Sequence, residues 1–244
     1  MYSKVSIIIP TLNEADFLAR TLDHLAVLNP PPKEILIVDG GSQDSTLEIA
    51  RNAGISPLIS PQAGRSVQMN LGAKAATGDY LCFLHADTFV PDDLMMIIEK
   101  TLGDVSIAGG GFISLMNSQD QIRWGVSLHN YLKSYYAALI FRPHLFIKGL
   151  RILFGDQVIF CRRRDFFNCG GFDGELPIME DADLCMRLVK YGRIYLVNRV
   201  VQSSDRRVAK WGWFKANLIY LYIGCLWGVG VSGTYLKQFY EDIR

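Results

Sequence analysis

Hydrophobic positions in the first hundred residues alternate between two periods. Val5 to Ile9 is an unbroken apolar run rich in β-branched residues, which predicts a strand buried on both faces. Leu18, Leu22 and Leu25 then recur at helical spacing, with Asn13 placed to cap that helix and Pro30-Pro31-Pro32 to stop it. Ile35 to Val38 predicts a second buried strand, and Ser45 to Asn52 a helix stopped by Gly54. Val67 to Ala76 reads as a third helix closed by Gly78, Tyr80 to Leu84 as a further strand, and Pro91 suits the first turn of a helix through Leu102. Strands and helices alternating in this way predict a parallel sheet joined by crossover helices.

After Gly109-Gly110-Gly111 that rhythm breaks. Ser114 to Leu153 is aromatic and basic with no clear βα period. Val158 to Cys161 reads as a strand, Gly170-Gly171 as a turn, and Asp181 to Tyr191 as a helix ended by Gly192. Leu218 to Val231 is almost wholly apolar, yet shorter than the roughly 20 residues that span a bilayer, so a buried or interfacial helix is expected there. With no repeat and no low-complexity linker, residues 1–244 read as one domain. A nucleotide-binding half (1–110) is followed by an acceptor half (111–205) and an aromatic helical segment (206–244).

Composition narrows the function classes. Half of the 244 residues are apolar and 20% are charged, enough for a sizeable core. A formal net charge of +1 argues against a nucleic-acid surface. Five cysteines without CxxC spacing exclude a zinc knuckle and make reduced thiols the expectation. Val5 to Ile9 is too brief for a signal-peptide core, so a cytoplasmic protein is expected, with a peripheral place at the inner membrane face left open.

Four polar clusters fall where the expected strands end, outside which ligands bind in open α/β sheets. They are Pro10-Thr11-Leu12-Asn13-Glu14, Asp39-Gly40-Gly41-Ser42-Gln43-Asp44-Ser45-Thr46, His85-Ala86-Asp87-Thr88 and Met179-Glu180-Asp181. Each alone has a plain structural explanation: Asn13, Asp44 and Ser45 are also helix caps, and the glycines also serve turns. Acidic side chains at several neighbouring strand ends, however, would converge on one crevice.

These segments resemble the signatures of family 2 glycosyltransferases of GT-A fold, in that family's order over residues 4 to 200. His85-Ala86-Asp87-Thr88 and Gly64-Arg65-Ser66-Val67-Gln68-Met69-Asn70 further resemble a subgroup of small bacterial single-domain members. The resemblance implies a Rossmann-like, mixed but mainly parallel sheet flanked by helices, with a helical C-terminal extension. It implies an inverting, hexosyltransferase-like enzyme that moves a sugar from a nucleotide-diphosphate donor to a hydroxyl acceptor. Asp39 would accept a hydrogen bond from the nucleobase, which suits uracil, and Thr11, Glu14 and Gly41 would line the nucleotide pocket. Asp87 stands at the last position of the family's Asp-x-Asp motif, where a carboxylate holds Mn²⁺ or Mg²⁺ against the diphosphate. The first acidic position is His85 in this chain, a group that hydrogen-bonds the ribose or ligates manganese but brings no charge.

Arg65, in a loop before a helix, would grip a phosphate or the donor sugar together with that helix's amides. Gln68 and Asn70 read as ordinary solvent-facing helix residues. Asp181 is the expected general base, with Glu180 beside it orienting or capping. Asp156 and Gln157 would face the sugar or acceptor. The Gln-x-x-Arg-Trp motif of processive members is missing, since Gln202 to Arg207 lacks the tryptophan, so single-sugar transfer is expected. Arg206 or Arg207 would close over the diphosphate. The aromatic C-terminal helix would meet a membrane near a lipid-linked acceptor, a second subunit, or the core. A sugar nucleotidyltransferase is disfavoured because strand one ends without a glycine-rich loop. A non-catalytic nucleotide-binding or membrane scaffold is disfavoured because Asp39, Asp87 and Asp181 are all present.

Overall fold

The first apolar run forms β1 (Val5–Thr11), in which Ile7 and Ile9 face one apolar layer and Ile8 the other. The structure is a computed structural model and describes residues 3–118, 121–204 and 206–240. Helix α1 (Ala15–Ala26) buries Leu18, Leu22 and Leu25 on a single face. The alternation continues through β2 (Glu34–Asp39), α2 (Thr46–Asn52), β3 (Leu58–Ile59), α3 (Arg65–Ala75), β4 (Tyr80–Phe83), β5 (Thr88–Phe89) and α4 (Leu94–Gly103). The second half opens with β6 (Ile107–Ser118), β7 (Gln121–Ile122), α5 (Trp124–Phe141) and α6 (Pro143–Ile147). A 3₁₀ turn at Gly155–Gln157 precedes β8 (Phe160–Arg162), α7 (Arg163–Asn168), α8 (Glu180–Leu188) and β9 (Arg193–Ser204). The chain closes with α9 (Arg206–Trp211), α10 (Trp213–Gly228) and α11 (Gly233–Lys237).

One sheet carries strands of both halves in the order β3-β2-β1-β4-β8-β6-β9-β5, with β7 paired to β6. Strands β3, β2, β1, β4, β6 and β9 share one direction, and β8, β5 and β7 oppose it. Helices α1 and α4 pack Leu18, Leu22, Leu94 and Ile98 on one face. Helices α3, α7 and α8 pack Met69, Phe166 and Leu184 on the other. A sheet covered on both faces explains why its strands read as continuous apolar runs.

Several expectations from the sequence are corrected here. The rhythm does not break at Gly109-Gly110-Gly111: those glycines lie inside β6, whose register with β9 runs from Ile107 to Asn117. A Cβ on Gly110 would stand 2.5 Å from the Tyr195 carbonyl and 2.8 Å from the Phe160 ring, so the close backbone approach requires glycine. Asn13 does not cap α1. It adopts φ 54°, and its Oδ1 accepts from the Gln43 amide at 2.9 Å, tying the loop after β1 to the loop after β2. Helix α3 starts at Arg65, two residues earlier than the apolar spacing placed it, so Arg65 is its first residue rather than part of a loop. Gln68 is not solvent-facing: its amide donates to the carbonyls of Thr11 and Val38, both at 2.7 Å. Nor is Asn70, which exchanges two hydrogen bonds with the backbone of Phe172.

The apolar segment near the C-terminus forms α10, within which Ala216, Ile223 and Gly228 are buried. Ile219, Tyr220, Leu226 and Trp227 pack partly against the core, while Trp213, Phe214, Leu218, Leu221 and Tyr222 stay exposed. Among the described residues, no helix is long and apolar enough to cross a membrane.

Candidate active site

The carboxyl ends of β1, β4, β6 and β9 open onto a cleft of about 660 Å³, a size usual for a small-ligand site. Its walls carry Thr11 and Glu14 after β1, Arg65 and Gln68 of α3, and His85 and Asp87 after β4. Gly155 and Asp156 of the 3₁₀ turn, Glu180 and Asp181 of α8, and Arg206 of α9 complete it. The sequence clusters at the ends of β1 and β4 and at the start of α8 thus meet, although they are far apart along the chain.

Met179, in the left-handed region at φ 67°, turns the chain into α8 and presents its first two carboxylates to the cleft. Glu180 is buried and pairs with Arg65, Nε to Oε1 at 2.9 Å. The Arg65 guanidinium also reaches His85 Nε2 at 3.0 Å. Asp181 does not cap its helix; its Oδ2 accepts from the Gly155 amide at 2.8 Å. Burial, followed by the charge of Glu180, raises the Asp181 carboxyl to about 7, against the opposing effect of Arg65. A carboxylate tuned to neutrality and facing a cleft is suited to proton transfer. Gly155 is held to glycine by the site itself: a Cβ there would stand 2.3 Å from His85 Nε2 and 3.1 Å from the Arg65 guanidinium.

Across the cleft, Arg206 bridges two carboxylates, Asp87 at 2.8 Å and Glu14 at 3.1 Å, with its guanidinium over the Phe17 ring at 4.6 Å. A cation already resting on Asp87 marks a place that favours positive charge. Among the described residues no three His, Cys, Asp or Glu side chains gather into a metal cage. One hard oxygen donor, in a cleft that also carries the His85 imidazole, still fits a magnesium-like ion, which keeps waters and takes substrate phosphates as its other ligands. The side chain of Arg207, expected as an alternative to Arg206, lies outside the described residues.

Three of the expected contact residues, Asp39, Gly41 and Gln157, do not line the cleft. Asp39 is fully buried, and its oxygens already accept from the amides of Gly41 and Ser42 and from the hydroxyls of Ser42 and Thr11. Four donors occupy its acceptor positions, so it braces the loop after β2 and does not line the cleft in this structure. Gly41, at φ 98°, belongs to that brace and does not line the cleft. Gln157 is fully buried and bonds Ser134 of α5 and the Phe154 amide at 3.0 Å, which fixes the 3₁₀ turn under Asp181. Asp156 does line the cleft, where its carboxylate accepts from Asn130 at 2.9 Å.

Sequence reasoning missed the wall built by α5, because its strongly apolar and aromatic composition hid the periodicity. The available signal was polar: Asn130, Lys133 and Ser134 share helical spacing within that segment, and all three are buried. Gln68 was likewise visible only as part of the Gly64-to-Asn70 motif.

A mixed sheet covered on both faces, with acidic side chains gathered beyond its parallel strand ends, is the architecture of a GT-A glycosyltransferase. The chain belongs to glycosyl transferase family 2, whose model matches residues 6–171. The PGL/p-HBAD biosynthesis glycosyltransferase of Mycobacterium tuberculosis is 30% identical over 189 residues, 75% of this chain and 68% of that protein. The pre-mycofactocin glycosyltransferase of Mycobacterium tuberculosis is 25% identical over 88% of this chain, which spans 46% of that protein. The fold is also that of glucosyl-3-phosphoglycerate synthase from Mycobacterium tuberculosis, solved with Mn²⁺, UDP and glucosyl-3-phosphoglycerate. That likeness has a TM-score of 0.67 at 19% identity, over 94% of this chain and 81% of that one.

Proposed function

We propose that the cleft transfers a single sugar from a nucleoside-diphosphate donor, of uridine type, to an acceptor hydroxyl with inversion at the anomeric carbon. The observation that carries this reading is Asp181, a buried carboxylate raised to about 7 that shares one cleft with Glu14 and Asp87. Ionised, Asp181 takes the proton of the acceptor hydroxyl as its oxygen attacks, and the Gly155 amide keeps the carboxylate aimed. One oxygen of Asp181 bonded to a backbone amide leaves the other for the acceptor.

Thr11 and Glu14 line the base and ribose end, on the floor that Asp39 and Gln68 stiffen. Arg65 and His85 face the phosphates or the transferred sugar, with Glu180 holding the Arg65 guanidinium in place. Asp87, with His85 adjacent, would hold Mn²⁺ or Mg²⁺. Bound against the diphosphate, that ion supplies Lewis-acid neutralisation of the departing nucleotide. Arg206 moves off Asp87 and Glu14 as the donor enters, and is then free to meet phosphate. The uridine preference is supported by the synthase structures, which hold UDP or UDP-glucose with the metal.

Calorimetric titration of UDP, GDP and dTDP, with and without Mn²⁺, on wild type and Asp87→Ala tests the reading. Metal-enhanced binding of UDP that is lost in the variant is expected; a wild type that binds no nucleotide overturns it.

The exposed side chains Trp213, Phe214 and Leu218 of α10 stand beside the exposed Lys210 and Lys215, which suits an anionic membrane surface near a lipid-linked acceptor. Trp213→Ser with Phe214→Ser is expected to abolish co-flotation with phosphatidylglycerol vesicles. Dimerisation of the wild type that the same variant abolishes, with no flotation in either protein, would assign the face to a second copy instead.

A further inference from the structure

Lys133 stands in the α5 wall of the cleft, with 9% of its surface exposed. An ammonium removed from water needs a counter-charge or a full set of acceptors. Lys133 has neither. Its Nζ donates once, to Asn130 Oδ1 at 3.1 Å, and otherwise lies over the rings of Phe154 at 3.7 Å and Tyr220 at 5.4 Å. Asp156 is the nearby acid, but Asn130 stands between: its amide donates to Asp156 at 2.9 Å while its carbonyl oxygen takes the lysine. The ion pair is thereby held open rather than closed. An aromatic bracket desolvates the cation and lends it partial stabilisation, leaving donor positions for an oxygen ligand. Burial accordingly lowers the Lys133 ammonium to about 8, with the Asp156 charge working in the opposite direction.

The place of this cation in the cleft decides what it serves. Asp156 adjoins Gly155, whose amide holds the general base Asp181, so the lysine belongs to the wall beside the base. The walls assigned to nucleotide and metal come from β1, α3 and the end of β4, whereas the Lys133 ammonium contacts Asn130 of α5, Phe154 before the 3₁₀ turn and Tyr220 of α10. We infer that Lys133, held between Asn130, Phe154 and Tyr220, is the subsite for an anionic group, a phosphate or carboxylate, carried by the hydroxyl acceptor. The inference rests on the transferase reading and gives its acceptor a chemical class. A neutral acceptor leaves the buried ammonium unpaired, so the subsite selects against it.

Calorimetry with defined probes tests this on the full chain. Glycerol 3-phosphate, glycerate and glycerol are titrated into wild type, Lys133→Met and Lys133→Arg, each alone and with saturating UDP and Mn²⁺. Dihexanoyl phosphatidylglycerol is a further arm that separates a lipid headgroup from a free anion. Methionine fills a similar volume without the charge, and an unchanged melting temperature or a rise confirms that the variant folds. Charged probes are expected to bind wild type and to lose tenfold or more in affinity in Lys133→Met, with partial recovery in Lys133→Arg and with glycerol no tighter in any protein. UDP affinity is expected to stay within about twofold. Anion binding that is absent in wild type or unchanged in Lys133→Met overturns the inference, as does a loss of UDP affinity, which would place the lysine on the donor diphosphate. Failure of wild type to bind UDP is read separately and counts against the transferase reading, while the probes titrated alone still decide whether Lys133 is an anion subsite.

Discussion

Asp181→Asn separates chemistry from folding, because asparagine keeps an acceptor for the Gly155 amide and loses only the charge. The carboxyl is raised from 3.8 to about 7, first by burial and then by Glu180. At about 1.4 kcal/mol for each pH unit, the ionised side chain opposes folding by at most about 4 kcal/mol at alkaline pH. Movement of Glu180 and Arg65 relieves part of this, so a gain of about 2 kcal/mol is expected on neutralisation. The sign follows from the direction of the shift. A carboxyl raised in the folded state contributes stability at acid pH that is lost as pH climbs through about 7, so the variant gains most above that value. For a chain of this size the gain corresponds to a melting temperature about 4–8 °C higher at pH about 8.5, shrinking as pH falls toward 4. Over the same range donor turnover should fall by about 10²–10⁴, the usual worth of a general base, while UDP affinity holds. In wild type, kcat/KM should rise with pH through about 7, as the free enzyme's base ionises. Scanning calorimetry at alkaline and acid pH, with donor turnover read alongside, checks both halves. A variant with equal melting temperature at every pH, or with turnover within about tenfold of wild type, refutes the reasoning.

Other substitutions probe the rest of the cleft and the loop braced beneath it. Gly155→Ala drives a methyl group into His85 and Arg65 and is expected to destabilise by about 1–3 kcal/mol and to weaken UDP binding, both read by calorimetry; unchanged UDP affinity would sever Arg65 and His85 from the donor. Arg206→Ala removes the cation between Glu14 and Asp87, so Mn²⁺ should bind the nucleotide-free protein more tightly, and an unchanged affinity would show that the arginine does not compete for Asp87. Asp39→Ala leaves four donors without their acceptor and should lower stability by about 3 kcal/mol or more; a stable variant that merely loses UDP would restore the direct base contact.

Much of the first half was legible from spacing alone. β1, α1, β2 and β4 were readable because a doubly covered sheet demands unbroken apolar strands and one-sided helices, and both leave local periodicities. The family motifs likewise located Asp87 and Asp181, and the structure brings both to one cleft. β6 was not readable, because Gly109 to Gly111 look like a breaker until Tyr195 and Phe160 are seen pressed against them. The same holds for the side chains that give the cleft its chemistry. Asp39 carries the motif of a ligand contact, yet donors from two loops surround it. Arg65 meets Glu180 across more than a hundred residues, and Lys133 takes its character from Asn130, Phe154 and Tyr220 together. Periodicity is a property of neighbours along the chain, so spacing was enough to place β1, α1, β2 and β4 and the residue types at their ends. Hydrogen-bond saturation, desolvation and charge pairing depend on neighbours in space, so the bracing of Asp39, the burial that raises Asp181 and the lysine held apart from Asp156 became visible only in the folded chain.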